Sequence, residues 1–194
     1  MTTEWKVGRP VRLETSRFQI SSLTPLQALW HTYPWTFDSE VMHSFGLPAG
    51  TWTRRSWYRR FRKSNNRRKF VLGIRAKHDN ELIGLEIANV NSAGVAALSV
   101  LIGHRDWWGK GVVQEVRSAV IDFLFDQVGC SRVWGTPSSR NFPSIFNYQK
   151  LGFTCEGILR QHGLDPATKQ HVDFVIFSML RRDWKRKCGE RVAA

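Results

Sequence analysis

Between Val100 and Val113 the chain reads VLIGHRDWWGKGVV. An apolar run, Ala96 to Ile102, ends in a short polar turn. Two glycines follow at Gly109 and Gly111, and a helical pattern starts behind them. Glycine has no Cβ, so backbone N–H groups in such a turn can come close to a phosphate. The first N–H groups of a helix lack partners inside it, and its dipole is positive at that end. The chemistry this stretch suits is the grip of an anion, above all a pyrophosphate. Gly-Lys-Gly by itself also serves as ordinary turn chemistry. The third glycine and the acidic residue of a dinucleotide fingerprint are missing, and no Gly-Lys-Ser/Thr of a Walker loop occurs.

The composition narrows the setting. The chain has 194 residues, 42% of them hydrophobic, which is enough for a substantial core in one domain. Three scattered cysteines, Cys130, Cys155 and Cys188, show no paired metal spacing, so neither a metal site nor a disulfide framework is expected. No apolar run reaches the roughly 18 residues needed to span a membrane. The N-terminus (MTTEWKVGRP) has no apolar signal-like core. The expected compartment is reducing and cytoplasmic. A formal net charge of +13 predicts anionic partners: nucleic acid, the ribosome, a phosphorylated cofactor or a nucleotide-linked substrate.

The elements that would position the turn follow from periodicity and punctuation. Residues 10–24 suggest an edge strand, closed by Thr24-Pro25, a helix cap with proline behind it. A short helix follows through Leu26 to Trp30. The aromatic loop His31 to Ser39 precedes a second helix, capped by Asp38 or Ser39. Nine of the sixteen residues from Arg54 to Lys69 are Arg or Lys, none is acidic, and Trp57, Tyr58 and Phe61 stand at helical contact spacing. That pattern predicts an amphipathic helix with a basic outer face. Phe70–Lys77, Leu82–Asn91 and Val95–Ile102 form an expected antiparallel meander. Val112, Val116, Val120, Phe123 and Leu124 mark a long helix stopped by Gly129. Arg132–Thr136 is a strand expected to run parallel to 95–102, because a helix separates the two. Asn141 opens a further helix that stops at Leu151-Gly152. Phe153–Arg160 and Val172–Met179 are the last strands, followed by a basic tail, 181–194.

Strand, WWGKGVV, long helix, strand, Asn141-x-x-Ser144 and Tyr148-Gln149-Lys150-Leu151-Gly152-Phe153 occur in that order. The arrangement resembles the GNAT superfamily of acetyl-CoA-dependent N-acetyltransferases. It looks most like the branch that holds ribosomal-protein N-terminal acetyltransferases, and residues 95–180 carry the match. Pro34-Trp35 to Met42 is loosely similar to relatives that acylate nucleotide-linked amino sugars. The resemblance implies an α/β (α+β) fold of one domain: a mixed, mostly antiparallel sheet of six or seven strands, helices on both faces, and a splayed parallel pair. Residues 1–94 would shape the acceptor site. The pantetheine arm of acetyl-CoA would enter the splay, paired with backbone near Val100, Leu101 and Ile102. The amides of Trp108, Gly109, Lys110, Gly111, Val112 and Val113 would hold its pyrophosphate, and Asn141 would touch the cofactor. Relatives often carry Arg or Gln where this chain has Asp106, so Arg105 or Lys110 would supply the charge. They often have Gly or Ala where Val113 stands.

The resemblance also assigns chemistry. Moving an acetyl group from a thioester to an amine requires a neutral amine, a donor for the oxyanion and a proton for the leaving thiolate. At pH 7 a lysine-like amine is neutral in about one molecule in several thousand, and a chain N-terminus in roughly one in ten. Tyr148 is the implied acid, and Ser144, one turn earlier, would contact the sulfur or carbonyl. Glu86 is the candidate base, although alternation opposes it to Leu85 and Ile87 and so favours an exposed carboxylate. His162 and His171 are further candidates. The expected function is acetyl transfer to a protein N-terminus or small primary amine, with a nucleotide-linked amino sugar as the other acceptor class. A catalytically silent RNA- or ribosome-binding module, working through Arg54–Lys69, is the alternative. A homodimer stays open.

Overall fold

The computed structural model describes residues 5–185. Its elements are β1 (Arg12–Glu14), β2 (Phe18–Ser22), α1 (Pro25–Thr32), α2 (Ser39–Ser44), α3 (Arg54–Phe61), β3 (Lys69–Ala76), β4 (Leu82–Val90), β5 (Val95–Ile102), α4 (Val112–Asp126), β6 (Arg132–Gly135), α5 (Phe142–Lys150), β7 (Thr154–Leu164) and β8 (His171–Leu180). Eight strands form one sheet in the order β1-β2-β3-β4-β5-β6-β8-β7. All neighbours are antiparallel except β5 and β6.

The count is eight rather than six or seven because the first apolar stretch is a hairpin and not a single strand. Thr15 reverses the chain: its N–H donates to the Phe18 carbonyl, and its hydroxyl accepts from the Phe18 N–H. The caps follow the sequence closely. Thr24 and Gln27 form a capping box ahead of Pro25, and Asp38 accepts from the N–H groups of Glu40 and Val41. Thr53 and Ser56 cap α3 in the same way.

Both faces of the central strands are covered. α4 packs Val112, Val116, Val120 and Leu124 against Phe70, Leu72 and Ile74 of β3 and Leu98 of β5. On the opposite face, Trp57 and Phe61 of α3 join Leu29, Val41, Leu85 and Leu101. The Trp57 indole N–H donates to Thr32 Oγ1, which donates to the Ala28 carbonyl, and this locks α3 onto α1. Such double coverage explains why β3 and β4 are apolar almost throughout and do not alternate.

The parallel pair is short. β5 and β6 are in register only over Val95–Ala97 with Arg132–Trp134. Beyond Ala97, β5 continues paired to β4 as far as Ile102, while β6 stays with β8 through Gly135. The sheet therefore opens in its middle. Arg132 of β6, Glu156 of β7 and Ser178 of β8 tie the outer half together, since Glu156 accepts from both of the others.

Those two donors pull the Glu156 carboxyl down to about 2. A depressed carboxyl stabilises the fold above its unfolded value, and that contribution is lost as pH falls from about 4.5 through about 2. Denaturant midpoints taken across that window should fall more steeply for the native protein than for Glu156→Gln; equal slopes would contradict this.

Candidate functional site

The gap between β5 and β6 is the floor of a groove of about 820 Å³. Ala97 to Val100 form one wall and Trp134 to Ser138 the other. Ser39, His43 and Phe45 border it on the α2 side, and Asn141, Ser144 and Tyr148 come from α5. Asn141 holds the mouth: its Oδ1 caps α5 by accepting from the Ser144 N–H, and its Nδ2 donates to the Ser44 carbonyl at 2.9 Å. Gln114 of α4 donates to Asn147 of α5, so the two helices that flank the opening are tied.

Tyr148 is buried at the bottom of the opening. Its ring stacks on Phe177 and meets Phe153 edge-on. Its hydroxyl lies against Gly135, where even a methyl group would overlap it. Gly135 therefore ends β6 at the one place where the tyrosine needs room. Burial raises the Tyr148 pKa, and the charge and hydrogen bond of Arg117 pull partly the other way. The guanidinium lies 5.0 Å from the ring centroid. Arg117 is itself fully buried on α4, among valines and leucines, and its Nε donates to Glu86 Oε1 at 3.1 Å.

Glu86 thus differs from the expectation. It does face away from Leu85 and Ile87, but that face is covered by α4, and the residue is 0% exposed. Burial raises its pKa to about 7 against the pull of Arg117. It does not line the groove. Its observed partner is Arg117, whose guanidinium lies beside the Tyr148 ring. His162 packs on Phe174, and neither His162 nor His171 lines the groove, whereas His43 does.

The glycine turn is formed as the sequence suggested. Gly109 and Gly111 have φ of 73° and 72°, the left-handed conformation that favours glycine, and Gly111 starts α4 without a side-chain cap. Among the described residues, the backbone N–H groups of Gly109, Gly111, Val112 and Val113 donate to no protein acceptor, while that of Lys110 donates to the Trp107 carbonyl. Trp108 lines the groove just ahead of this turn, and its indole donates to the Ile102 carbonyl. Of the β5 residues expected to meet a ligand, Val100 lines the groove; the side chains of Leu101 and Ile102 are buried. The open edge is Leu98 to Val100.

The cations near the turn are distributed differently from the expectation. Arg105 is bound to Glu40 and Asp38 at the start of α2. Lys110 stands over the Trp107 ring. The residue the sequence did not single out is Arg17, immediately before β2. It pairs with Glu115 in the first turn of α4, and its Nη2 lies 3.8 Å from where a Cβ on Gly111 would be. Nothing local could have revealed it, because 98 residues separate Arg17 from Glu115. The basic run also divides. Arg54, Arg55 and Arg59 are exposed, Arg54 over Trp30 and Tyr33, whereas Arg60 lines the groove.

A buried ion pair is costly to break from one side. Above pH 7, where Glu86 is ionised, Glu86→Gln should destabilise the fold by about 3–5 kcal/mol, because Arg117 is left with an uncompensated charge. The double variant Glu86→Leu/Arg117→Met should recover most of that loss in chemical denaturation. Equal destabilisation by the single and double variants would mean that charge compensation is not what the pair provides.

Residues 17–154 match the acetyltransferase (GNAT) domain family. The chain is 31% identical over 113 residues to the uncharacterised N-acetyltransferase p20 of Bacillus licheniformis, which covers 57% of this chain and 62% of p20. It is 27% identical over 161 residues to YokL, a prophage-derived uncharacterised N-acetyltransferase of Bacillus subtilis, covering 79% of this chain and 86% of YokL. Among solved structures, ribosomal-protein-S5-alanine acetyltransferase from Vibrio fischeri superposes with a TM-score of 0.76 over 90% of this chain and 98% of that one, at 16% identity. An acetyltransferase of the GNAT family from Bacillus anthracis gives 0.72 over 89% and 99%, at 18% identity. With its opened parallel pair, its glycine-started helix and this match over most of its length, the chain belongs to the GNAT acetyltransferase family.

Proposed function

We propose that the protein transfers the acetyl group of acetyl-CoA to a primary amine, by direct attack in a ternary complex. The observation that carries this reading is the opened β5–β6 pair with a buried tyrosine hydroxyl at its floor and an uncapped helix N-terminus beside it. The fit to the cofactor rests on these features. The free N–H groups of Gly109, Gly111, Val112 and Val113 suit a pyrophosphate, and the unpaired edge from Leu98 to Val100 suits an amide-bearing arm. Arg17 and Lys110 add charge near the turn, and Arg17 offsets Glu115, which would otherwise repel an anion.

Acetyl-CoA bound there supplies an acetyl group activated as a thioester. Tyr148 keeps its proton at neutral pH, because burial raises its pKa. It gives that proton to the departing sulfur, and the positive charge of Arg117 beside the ring steadies the oxygen as the proton leaves. Ser144, on the same face of α5, contacts the carbonyl or sulfur. The amine reaches the carbonyl from the side bordered by His43 and Phe45. With Glu86 committed to Arg117, the amine's proton passes to water or His43, or the amine arrives already neutral. That favours an N-terminus or another amine of low pKa over a lysine side chain. The name of the Vibrio fischeri neighbour points to the same class of acceptor.

Calorimetry should show acetyl-CoA binding to the native protein and none to Gly111→Glu, which places a carboxylate in the turn where φ also disfavours a side chain. Unchanged binding by that variant would place the cofactor elsewhere. Tyr148→Phe should lower kcat for thiol release about 10²–10⁴-fold, the usual range for a general acid, with the acetyl-CoA affinity kept. A fully active variant would remove Tyr148 from the reaction.

A further inference from the structure

Arg60 is a groove cation that the proposed chemistry leaves unused. It stands in the last turn of α3, and its guanidinium is enclosed by three rings. Its Cζ lies 5.3 Å from the Trp52 centroid, 5.6 Å from Trp57 and 5.9 Å from Phe45. Its Nε is buried without a hydrogen-bond partner. Arg105, Arg117 and Arg132 each have a carboxylate that raises the pKa. Arg60 has none among the described residues; burial alone acts on it, and lowers its pKa. Its charged neighbour there is another cation, Lys69, whose ammonium donates to the Arg60 carbonyl.

The groove's two carboxylates are already engaged. Glu40 holds Arg105, and Asp165 accepts from the N–H groups of Ala167 and Thr168 and faces Arg140. A guanidinium partly withdrawn from water without a counter-charge is unfavourable unless another group completes it. The rings hold the planar head in one orientation, which suits two-pronged binding of an oxyanion better than a lysine would. Arg60 also lies on the correct side. α3 and α2 cover the face of the sheet opposite α4, and the anion-gripping turn belongs to α4. A thioester carrier held at that turn leaves the Arg60 side to the acceptor.

We infer that Arg60 binds an anionic group, a carboxylate or a phosphate, carried by the acceptor at a distance from its amine. The inference rests on the acetyl-transfer reading for the identity of the acceptor, and on Arg60 itself for the anion.

Trp52 and Trp57 flank the guanidinium, so tryptophan fluorescence reports on it. Protein saturated with coenzyme A is titrated with phosphoethanolamine and with ω-aminocarboxylates of increasing length, and with ethanolamine and alkylamines of matched length as neutral controls. Anionic amines should give a saturable change and neutral ones none. Arg60→Met, which keeps the bulk of the stem, should weaken the response at least about tenfold, and Arg60→Lys should restore part of it. In thiol release, kcat/KM for the anionic member of each pair should exceed its neutral partner at least about tenfold, a gap that Arg60→Met closes while the KM for acetyl-CoA holds. Preference for phosphoethanolamine identifies phosphate, and preference for an ω-aminocarboxylate identifies carboxylate. A saturable response that survives unchanged in Arg60→Met, or no response to any anionic amine in protein that binds coenzyme A, overturns the inference. Failure to bind coenzyme A removes the transferase reading instead, and the fluorescence titration then decides the anion site alone.

Discussion

The parting of β5 from β6 after three paired residues is the constraint on which the rest depends. Opening a sheet in its middle leaves backbone groups without partners, and these are expensive unless something fills the space. Here an aromatic side chain from outside the sheet takes part of the space, and the edge from Leu98 to Val100 stays unpaired along the groove. Tyr148 occupies the gap against Gly135, and its buried hydroxyl needs a polar partner. Arg117 supplies it, from a helix otherwise packed with valine and leucine, and a buried guanidinium needs a counter-charge. Glu86 meets that need from β4. Each polar residue in the series is therefore explained by the one before it, back to the opening of the sheet. An apolar core would be simpler, but it could not keep a phenol hydroxyl at the bottom of a groove.

The second requirement is electrostatic. A chain with a formal charge of +13 has no shortage of cations, yet few of them serve the groove. Arg105 and Arg132 are neutralised by carboxylates, and the exposed arginines of α3 sit in water or over rings. What makes the start of α4 attractive to an anion is chiefly the backbone: two left-handed glycines, no side-chain cap and unpaired N–H groups. Glu115 in the first turn of α4 favours the helix by the same dipole argument but opposes a bound anion. Its pairing with Arg17 keeps the helix benefit and removes most of the repulsion.

Local features were legible in the sequence. Thr24-Pro25, Asp38, Asn141 and the glycines at 109 and 111 do what their types predict, because caps and turns depend on a few neighbouring residues. The meander and the parallel return of β6 followed from element order. The features that were not legible involve distant residues. The hairpin Arg12–Ser22 was hidden because Thr15-Ser16-Arg17 lacks glycine and proline. Alternation assigned Glu86 its face, but whether that face meets water depends on where α4 lies. Arg17, Arg60 and Gly135 gained meaning only when Glu115, Trp52 and Tyr148 came next to them. Part of the basic tail lies outside the described residues.

In the proposed reaction, Tyr148 has to serve a leaving thiolate as a neutral acid. A phenol in an apolar pocket resists ionisation, which keeps the proton in place but also makes it hard to release. A cation beside the oxygen eases release and would, in water, simply lower the pKa. The structure combines the two: burial raises the Tyr148 pKa, and Arg117 opposes that rise. Glu86 tempers Arg117 in turn, raising the Tyr148 pKa through its own charge. The guanidinium lies beside the phenol, 5.0 Å from its ring centroid, while Tyr148 itself lines the groove. When that proton moves to sulfur, the negative charge left on oxygen forms beside a cation already in place.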